Sequence, residues 1–384
     1  MGASGSGSGL EQERRDEAEV ECYRRRRVKK FFLAILVLVL AAVGYLLFWP
    51  VSVDPEAWSP PKALALAGPW APNDRLAAGE IVAPTLVAPE AVAFDAVGRL
   101  YTGTKDGKVV RVEPDGKVGV VATTGGRPLG VKVAPDASVL VADADRGLLR
   151  IGPSGAVEVL ASEHAGKPFR LADDLDLLPD GRVVFTDAST WDLHHFVMDV
   201  VEHRPKGRVL VWNPGTKRTQ LVADGLYFPN GIALLPDGSG ALVCETTSYR
   251  VLKIPLAGDG RGRPEVFVDG LPGFCDNITW SPSRGVFWLA IGSPRDPTLE
   301  RLARRPFFRK VLARLPRPFL PKARHHAMAV AIAPDGEVKE VLQDASPEGF
   351  GPIASVIEHD GALYLGTYVD KGIKRVRLEA QKPH

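Results

Sequence analysis

"LPDGRVVFTD", residues 178–187, is a Pro-Asp-Gly turn with a short apolar strand behind it. Its reading decides the fold, because the same device recurs along the chain. Pro presets the backbone for a tight turn, and Gly takes the left-handed conformation that closes it. Val183, Val184 and Phe185 form the unbroken apolar run of a buried strand. The same pattern is met in "FDAVGRLYTG" (94–103), "APDASVLVAD" (134–143), "LPDGSGALVCE" (235–245), "SPSRGVFWLA" (281–290) and "EHDGALYLGT" (358–367). The equivalent positions are Tyr101, Val141, Phe185, Val243, Trp288 and Tyr364, at spacings of 40, 44, 58, 45 and 76. Four-stranded propeller blades recur at roughly 40–50 residues.

The two long spacings contain insertions, one at residues 189–207 and one at 294–326. Six such repeats predict an all-β fold, a six-bladed β-propeller over residues 79–380, with a basic helical insertion between the last two blades. A β-sandwich does not explain recurrence at this period. A doubly wound α/β fold needs helices where "KVVRVEPDGKVGVVATT" (108–124) supplies strands.

Working outward, "RRRRVKK" (24–30) precedes nineteen uncharged residues, "FFLAILVLVLAAVGYLLFW" (31–49). As a helix they span roughly 28 Å, close to the hydrocarbon thickness of a bilayer. A cleaved signal peptide has a shorter apolar core, of about 7–15 residues, and a small-residue cleavage site, which is missing here. The expectation is a signal anchor at 31–50 behind a basic cytoplasmic tail at 1–30, with "GASGSGSG" (2–9) a flexible start. The basic cluster puts the N-terminus inside and the propeller in the periplasm or a lumen. A Pro- and Ala-rich stalk at 51–78 is expected to lead away from the membrane. The net charge of +2 offers no basic excess for nucleic acid. Cys22, Cys244 and Cys275 make no disulfide framework; the last two sit in apolar runs and read as small buried thiols.

In a propeller the first strand of each repeat lines the central channel. Those strands open with Glu90 in "APEAVAF", Asp173 and Asp174 in "LADDLDLL", Asn230 in "YFPNGIALL", and Asp276 and Asn277 in "FCDNITW". Each alone is an ordinary turn former. Together, from four blades, they converge on one end of one channel. Carboxylates mixed with neutral carbonyls suit a hard cation of the calcium kind, whereas zinc would call for His or Cys. Asn277-Ile-Thr279 matches a glycosylation sequon, but a channel-lining Asn cannot carry a glycan.

These segments, with "GRPLGVKVAPD", "CETTSYRVLKI", "GLPGFCDNITWSP" and "IEHDGALYLGTY", resemble the strictosidine-synthase-like group of six-bladed propellers. Within it they are most similar to the adipocyte plasma membrane-associated protein family, over roughly residues 80–378. Paraoxonases, gluconolactonases and the regucalcin type share the fold. There the resemblance implies a catalytic calcium held by Glu90, Asn230, Asp276 and Asn277. Asp173 departs from the family's usual Asn, so metal ligand, substrate positioner and base all stay open for it. Asp174 resembles a residue that reaches a second, structural calcium in paraoxonases.

The implied function is a membrane-anchored, calcium-dependent hydrolase of the arylesterase or lactonase type, taking a small ester or lactone. Asp173 or Glu90 would act as base. The alternatives are a non-catalytic binding propeller with a structural calcium, and a condensing enzyme of the plant strictosidine synthase type; a metal-type ligand set argues against the last. His194, His195, His325 and His326 sit in the insertions as solvated loop residues or as rival bases. No Gly-x-Ser-x-Gly elbow supports a serine hydrolase. The insertion at 301–324 carries nine Lys or Arg and no acid. It reads as a lid, a membrane contact or a plain surface helix.

Overall fold

The computed structural model describes residues 7–379. Residues 2–6 of the Gly/Ser start lie outside the described residues. Helix α1 runs Gly7–Phe48, so the basic segment read as a tail continues the same helix as the apolar span. It is long and apolar enough to cross a membrane, and that part of it is not buried within the protein.

Six four-stranded antiparallel sheets follow among the described residues, five of them meanders in chain order. The innermost strands are Val92–Phe94, Pro128–Val133, Ala172–Leu177, Pro229–Leu234, Gly273–Ser281 and Ile353–His359. All six sequence anchors fall in second strands, and all but Tyr364 are buried. The last blade is closed by an early strand, Glu80–Val87, which pairs antiparallel with Lys371–Arg377 through Glu80↔Arg375 and Val82↔Ile373. The two ends of the propeller thus share one sheet, and the ring has no open edge between its first and last blades.

A meander reverses at every strand. The connections from second to third strand therefore lie at the same end as the openings of the first strands. Both insertions are of this kind. The first lies between Val183–Asp187 and Gly207–Asn213 and carries helix α2, Phe196–Glu202. The basic one lies between Val286–Pro294 and Ala327–Ile332 and carries α3, Pro297–Leu302, and α4, Pro306–Ala313. It interrupts the fifth blade rather than separating the last two. Anchors in second strands cannot reveal which later connection holds the extra residues. The two insertions form a cap: Val201 of α2 packs with Leu299, Leu312 and Leu320.

Residues 51–78 do not lead away as a stalk. Trp70 and Leu76 are buried in the core, and Trp58 and Leu64 pack against it. Leu64 N donates to Gly270 O at 2.8 Å, and Asn73 Nδ2 to Val341 O at 2.9 Å. A free stalk would leave these large apolar groups in water, at about 1.5–3 kcal/mol each.

Candidate metal centre in the propeller channel

Except for Glu90, which precedes its strand, the channel residues stand where the regular ladder breaks. The pairing of first and second strand shifts register between Ala172 and Leu175, between Pro229 and Ile232, and between Cys275 and Ile278. Asp173, Asp174, Asn230, Asp276 and Asn277 lie inside those breaks. A bulge re-aims side chains that a regular strand would alternate. Carboxylates at the ends of second strands pin the loops that enter these openings. Asp143 Oδ1 accepts from Arg127 N at 3.0 Å, Asp187 Oδ1 from Leu171 N at 3.1 Å, and Glu245 Oε1 from Tyr227 N at 2.8 Å.

Adjacent blades meet closely here. Thr186 Oγ1 accepts from Asp174 N at 3.0 Å and donates to Asn230 O at 2.8 Å, linking the third and fourth blades. Gly231 allows the backbone of Asn277 to come so near that an added Cβ would lie 2.4 Å from its Cα. Ser355 Oγ donates to Glu90 O at 2.6 Å, joining the last blade to the first.

The electrostatics of this end are one-sided. Glu90, Asp173, Asn230 and Asn277 are 8%, 4%, 7% and 4% exposed. Burial, then the charges of Glu90 and Asp174, push the Asp173 carboxyl well above the usual range. Burial, then Glu90 and Asp173, do the same to Asp276. Carboxyls from the first, third and fifth blades thus feel one another. Burial, then Asp276 and Glu90, raise the Tyr368 phenol. Arg127 Nη2 donates to Glu90 Oε2 at 2.8 Å and to Ala88 O at 3.0 Å. Burial still outweighs that partner and raises the Glu90 carboxyl.

Of the residues read as ligands, three have a buried side-chain oxygen without a partner among the described residues: Asn230 Oδ1, Asp276 Oδ1 and Asn277 Oδ1. An unpartnered buried acceptor costs roughly 1–3 kcal/mol. Among the described residues, no three His, Cys, Asp or Glu groups stand together as a metal site. A cation here would therefore need the two Asn oxygens as well as carboxylates. A mixed, oxygen-only donor set fits calcium.

One layer further along the channel the picture changes. Asp174 Oδ2 accepts from Ile232 N and Asp176 Oδ2 from Leu234 N, both at 3.0 Å. Lys132 Nζ lies 2.7 Å from Asp176 Oδ1. Burial pulls the Lys132 ammonium down, but Asp176 and Asp174 outweigh it and hold it above its ordinary range. Burial pushes Asp174 up to about 7, against the Ile232 N–H and Lys132. The layer that contains Asp174, to which resemblance assigns a second ion, already carries a protein ammonium paired with Asp176.

Three of the four candidate histidines have partners away from the channel, His195 with Asp192, His325 with Gly349 O and His326 with Gln343, and the His194 carbonyl accepts from Arg317 Nη2. Cys244 and Cys275 are free and buried. Two surface cavities of about 430 and 490 Å³ lie beside the N-terminal strand, and no channel carboxylate lines either. Sequence reasoning missed Arg127, Lys132 and Tyr368. Arg127 opens the second repeat in "GRPLGVKV", where Glu90 opens the first, so the repeat alignment itself could have found it.

With this geometry in place, two family models match, strictosidine synthase over residues 173–258 and the strictosidine synthase-like N-terminal region over 68–112. The chain is 34% identical to an adipocyte plasma membrane-associated protein of Danio rerio, covering 88% of this chain and 86% of that one. It is 31% identical to that of Homo sapiens, covering 91% and 90%. It is 32% identical to strictosidine synthase-like protein 6 of Arabidopsis thaliana, covering 90% and 95%. Among solved structures, a gluconolactonase of Xanthomonas campestris aligns with TM-score 0.57 and 18% identity, over 86% of this chain and 99% of that one. A calcium-binding regucalcin of Agrobacterium tumefaciens aligns with TM-score 0.56 and 16% identity, over 80% and 95%. At such identities the likeness is one of fold.

Proposed function

Since the chain belongs to the adipocyte plasma membrane-associated protein family of strictosidine synthase-like propellers, we propose that it is a membrane-anchored, calcium-dependent hydrolase of small esters or lactones. One observation carries this reading. Asn230 Oδ1, Asp276 Oδ1 and Asn277 Oδ1 are buried without partners beside carboxylates that repel one another. Glu90, Asp173, Asn230, Asp276 and Asn277 would hold the ion. Bound there, a hard cation supplies Lewis-acid polarisation of an ester or lactone carbonyl.

The chain's own groups do the rest. Among the described residues no side-chain hydrogen bond ties the Asp173 carboxylate, so it is the freer base for an attacking water. Glu90 is less free for that task, because Arg127 fixes one of its oxygens. The breaks at Asn230 and at Asp276–Asn277 hold their oxygens at a set aim, which limits reorganisation during reaction. The full chain in detergent should turn over aryl acetates or lactones with calcium and lose that activity in chelator. Equal rates in both conditions overturn the proposal.

The near-complete burial of Glu90, Asp173, Asn230 and Asn277 favours a second reading, a binding propeller in which the ion serves structure alone. Its signature is a calcium-dependent rise in melting temperature with no turnover of either substrate class.

A further inference from the structure

We propose that the outer face of the basic cap is a docking surface for the anionic phospholipids of the bilayer that α1 enters, so that the site end of the channel faces the headgroups. This rests on the cap and on α1, and holds whether or not the channel hydrolyses anything.

The inner face of the cap is already committed. Leu299, Leu312 and Leu320 pack on Val201. Arg309 is 2% exposed and donates to Glu56 O at 3.0 Å and to Val200 O at 3.2 Å. The outer face is not covered. Phe307, Phe308 and Phe319 are 51%, 50% and 70% exposed. Arg301, Arg304, Arg305 and Lys322 are exposed in the same segment, which has no acid between residues 301 and 324. Aromatic rings among cations match an interface whose outer layer is phosphate and whose inner layer is acyl chain.

The location follows from two hydrogen bonds. Arg314 Nε donates to Trp49 O at 2.6 Å, and Arg314 Nη1 to Leu46 O at 3.0 Å. Leu46 belongs to α1, whose apolar stretch ends there, so α4 is clamped where the chain leaves the hydrocarbon. The positive guanidinium also complements the negative C-terminal end of α1. Lys310 adds a second tie, 3.1 Å from Asp54 just beyond the span. With no stalk between them, the cap has nowhere to sit but at the headgroup level. The cap lies at the end of the propeller where the first strands open.

The test uses the full chain in nanodiscs of roughly 3:1 phosphatidylcholine to phosphatidylglycerol, a composition that supplies anionic headgroups. Nitroxide labels at Phe308→Cys and Phe319→Cys, in a Cys22→Ser background, report collision with oxygen against a water-soluble nickel chelate. Val97→Cys is the control, exposed in the first-to-second-strand turn at the far end. The expected result is a several-fold higher oxygen-to-nickel ratio at 308 and 319 than at 97. Ratios equal to that at 97, or labels shielded from both reagents by protein, overturn the proposal. Amide exchange of the unmodified chain needs no variant to fold. Exchange across 301–320 should slow by about fivefold when phosphatidylglycerol replaces part of an all-phosphatidylcholine disc; equal exchange in the two discs also overturns it.

Discussion

The propeller channel holds two polar layers a few residues apart, and they are finished differently. In the inner layer Asp174 and Asp176 accept backbone N–H groups from the next blade and face the Lys132 ammonium. At the site end Glu90, Asp173 and Asp276 repel one another, and the Asn230, Asp276 and Asn277 Oδ1 atoms have no partner among the described residues. Burying charge requires compensation. The inner layer is compensated by the protein itself. The site end has Arg127 against several carboxylates, and in the proposed function a bound cation supplies the remainder. That contrast separates a structural polar layer from the proposed cation site.

The sharpest way to break the contrast is to remove its outer half. Asp276→Ala or Asn277→Ala should weaken calcium binding by more than about 100-fold in titration calorimetry of the full chain, since even residues behind the ligands cost about 10–100-fold. Affinity unchanged in both variants would mean that the ion sits elsewhere.

Removing the inner layer's own cation should have a smaller effect. Lys132→Met leaves Asp174 and Asp176 without their ammonium. A part-exposed pair is worth less than a fully buried one, so about 1–2 kcal/mol of stability should be lost in chelator. The same variant should recover more stability on adding calcium than the parent chain does. A Lys132→Met chain as stable as the parent would show that the ammonium is not the compensating group.

Acidity sharpens the comparison further. Asp174 is raised to about 7 in the folded chain, above its ordinary 3.8. The unfolded chain therefore loses this proton first. The folded state holds the extra proton between the two values, and stability falls as pH rises from about 4 to about 7. Asp173 and Asp276 are raised in the same sense and extend the fall. Calcium should flatten the slope by favouring the ionised carboxylates. In the cap, burial likewise raises Asp199 to about 7, so Asp199→Asn removes that share of the slope. Thermal melts from pH 5 to 8, with calcium and with chelator, give the check; identical slopes would refute it.

The smallest expected effect is at the hinge between the layers. Thr186→Val loses the bonds to Asp174 N and Asn230 O and should cost about 1 kcal/mol in denaturant melts.

Why one layer is legible in sequence and the other is not follows from these contacts. The turns before Tyr101, Phe185 and Trp288 repeat because every blade needs the same reversal and the same buried second strand. Counting back from them places Glu90, Asp173, Asn230 and Asp276 at strand openings. Nothing in that count marks Lys132 as the partner of Asp176, because the pair forms between blades. The register breaks that aim Asn230 and Asn277 leave no residue signature either. Trp58 and Trp70 were readable as apolar anchors in a Pro-rich segment, yet their docking sites are made by later blades. The spacing from Trp288 to Tyr364 reports extra residues without saying that they interrupt the fifth blade.

Anomalous scattering from crystals of the full chain grown with calcium tests the central claim most directly. A peak at roughly 2.3–2.6 Å from Asn230, Asp276 and Asn277 side-chain oxygens is the predicted result. Density with no ion among those three oxygens, at saturating calcium, would contradict it.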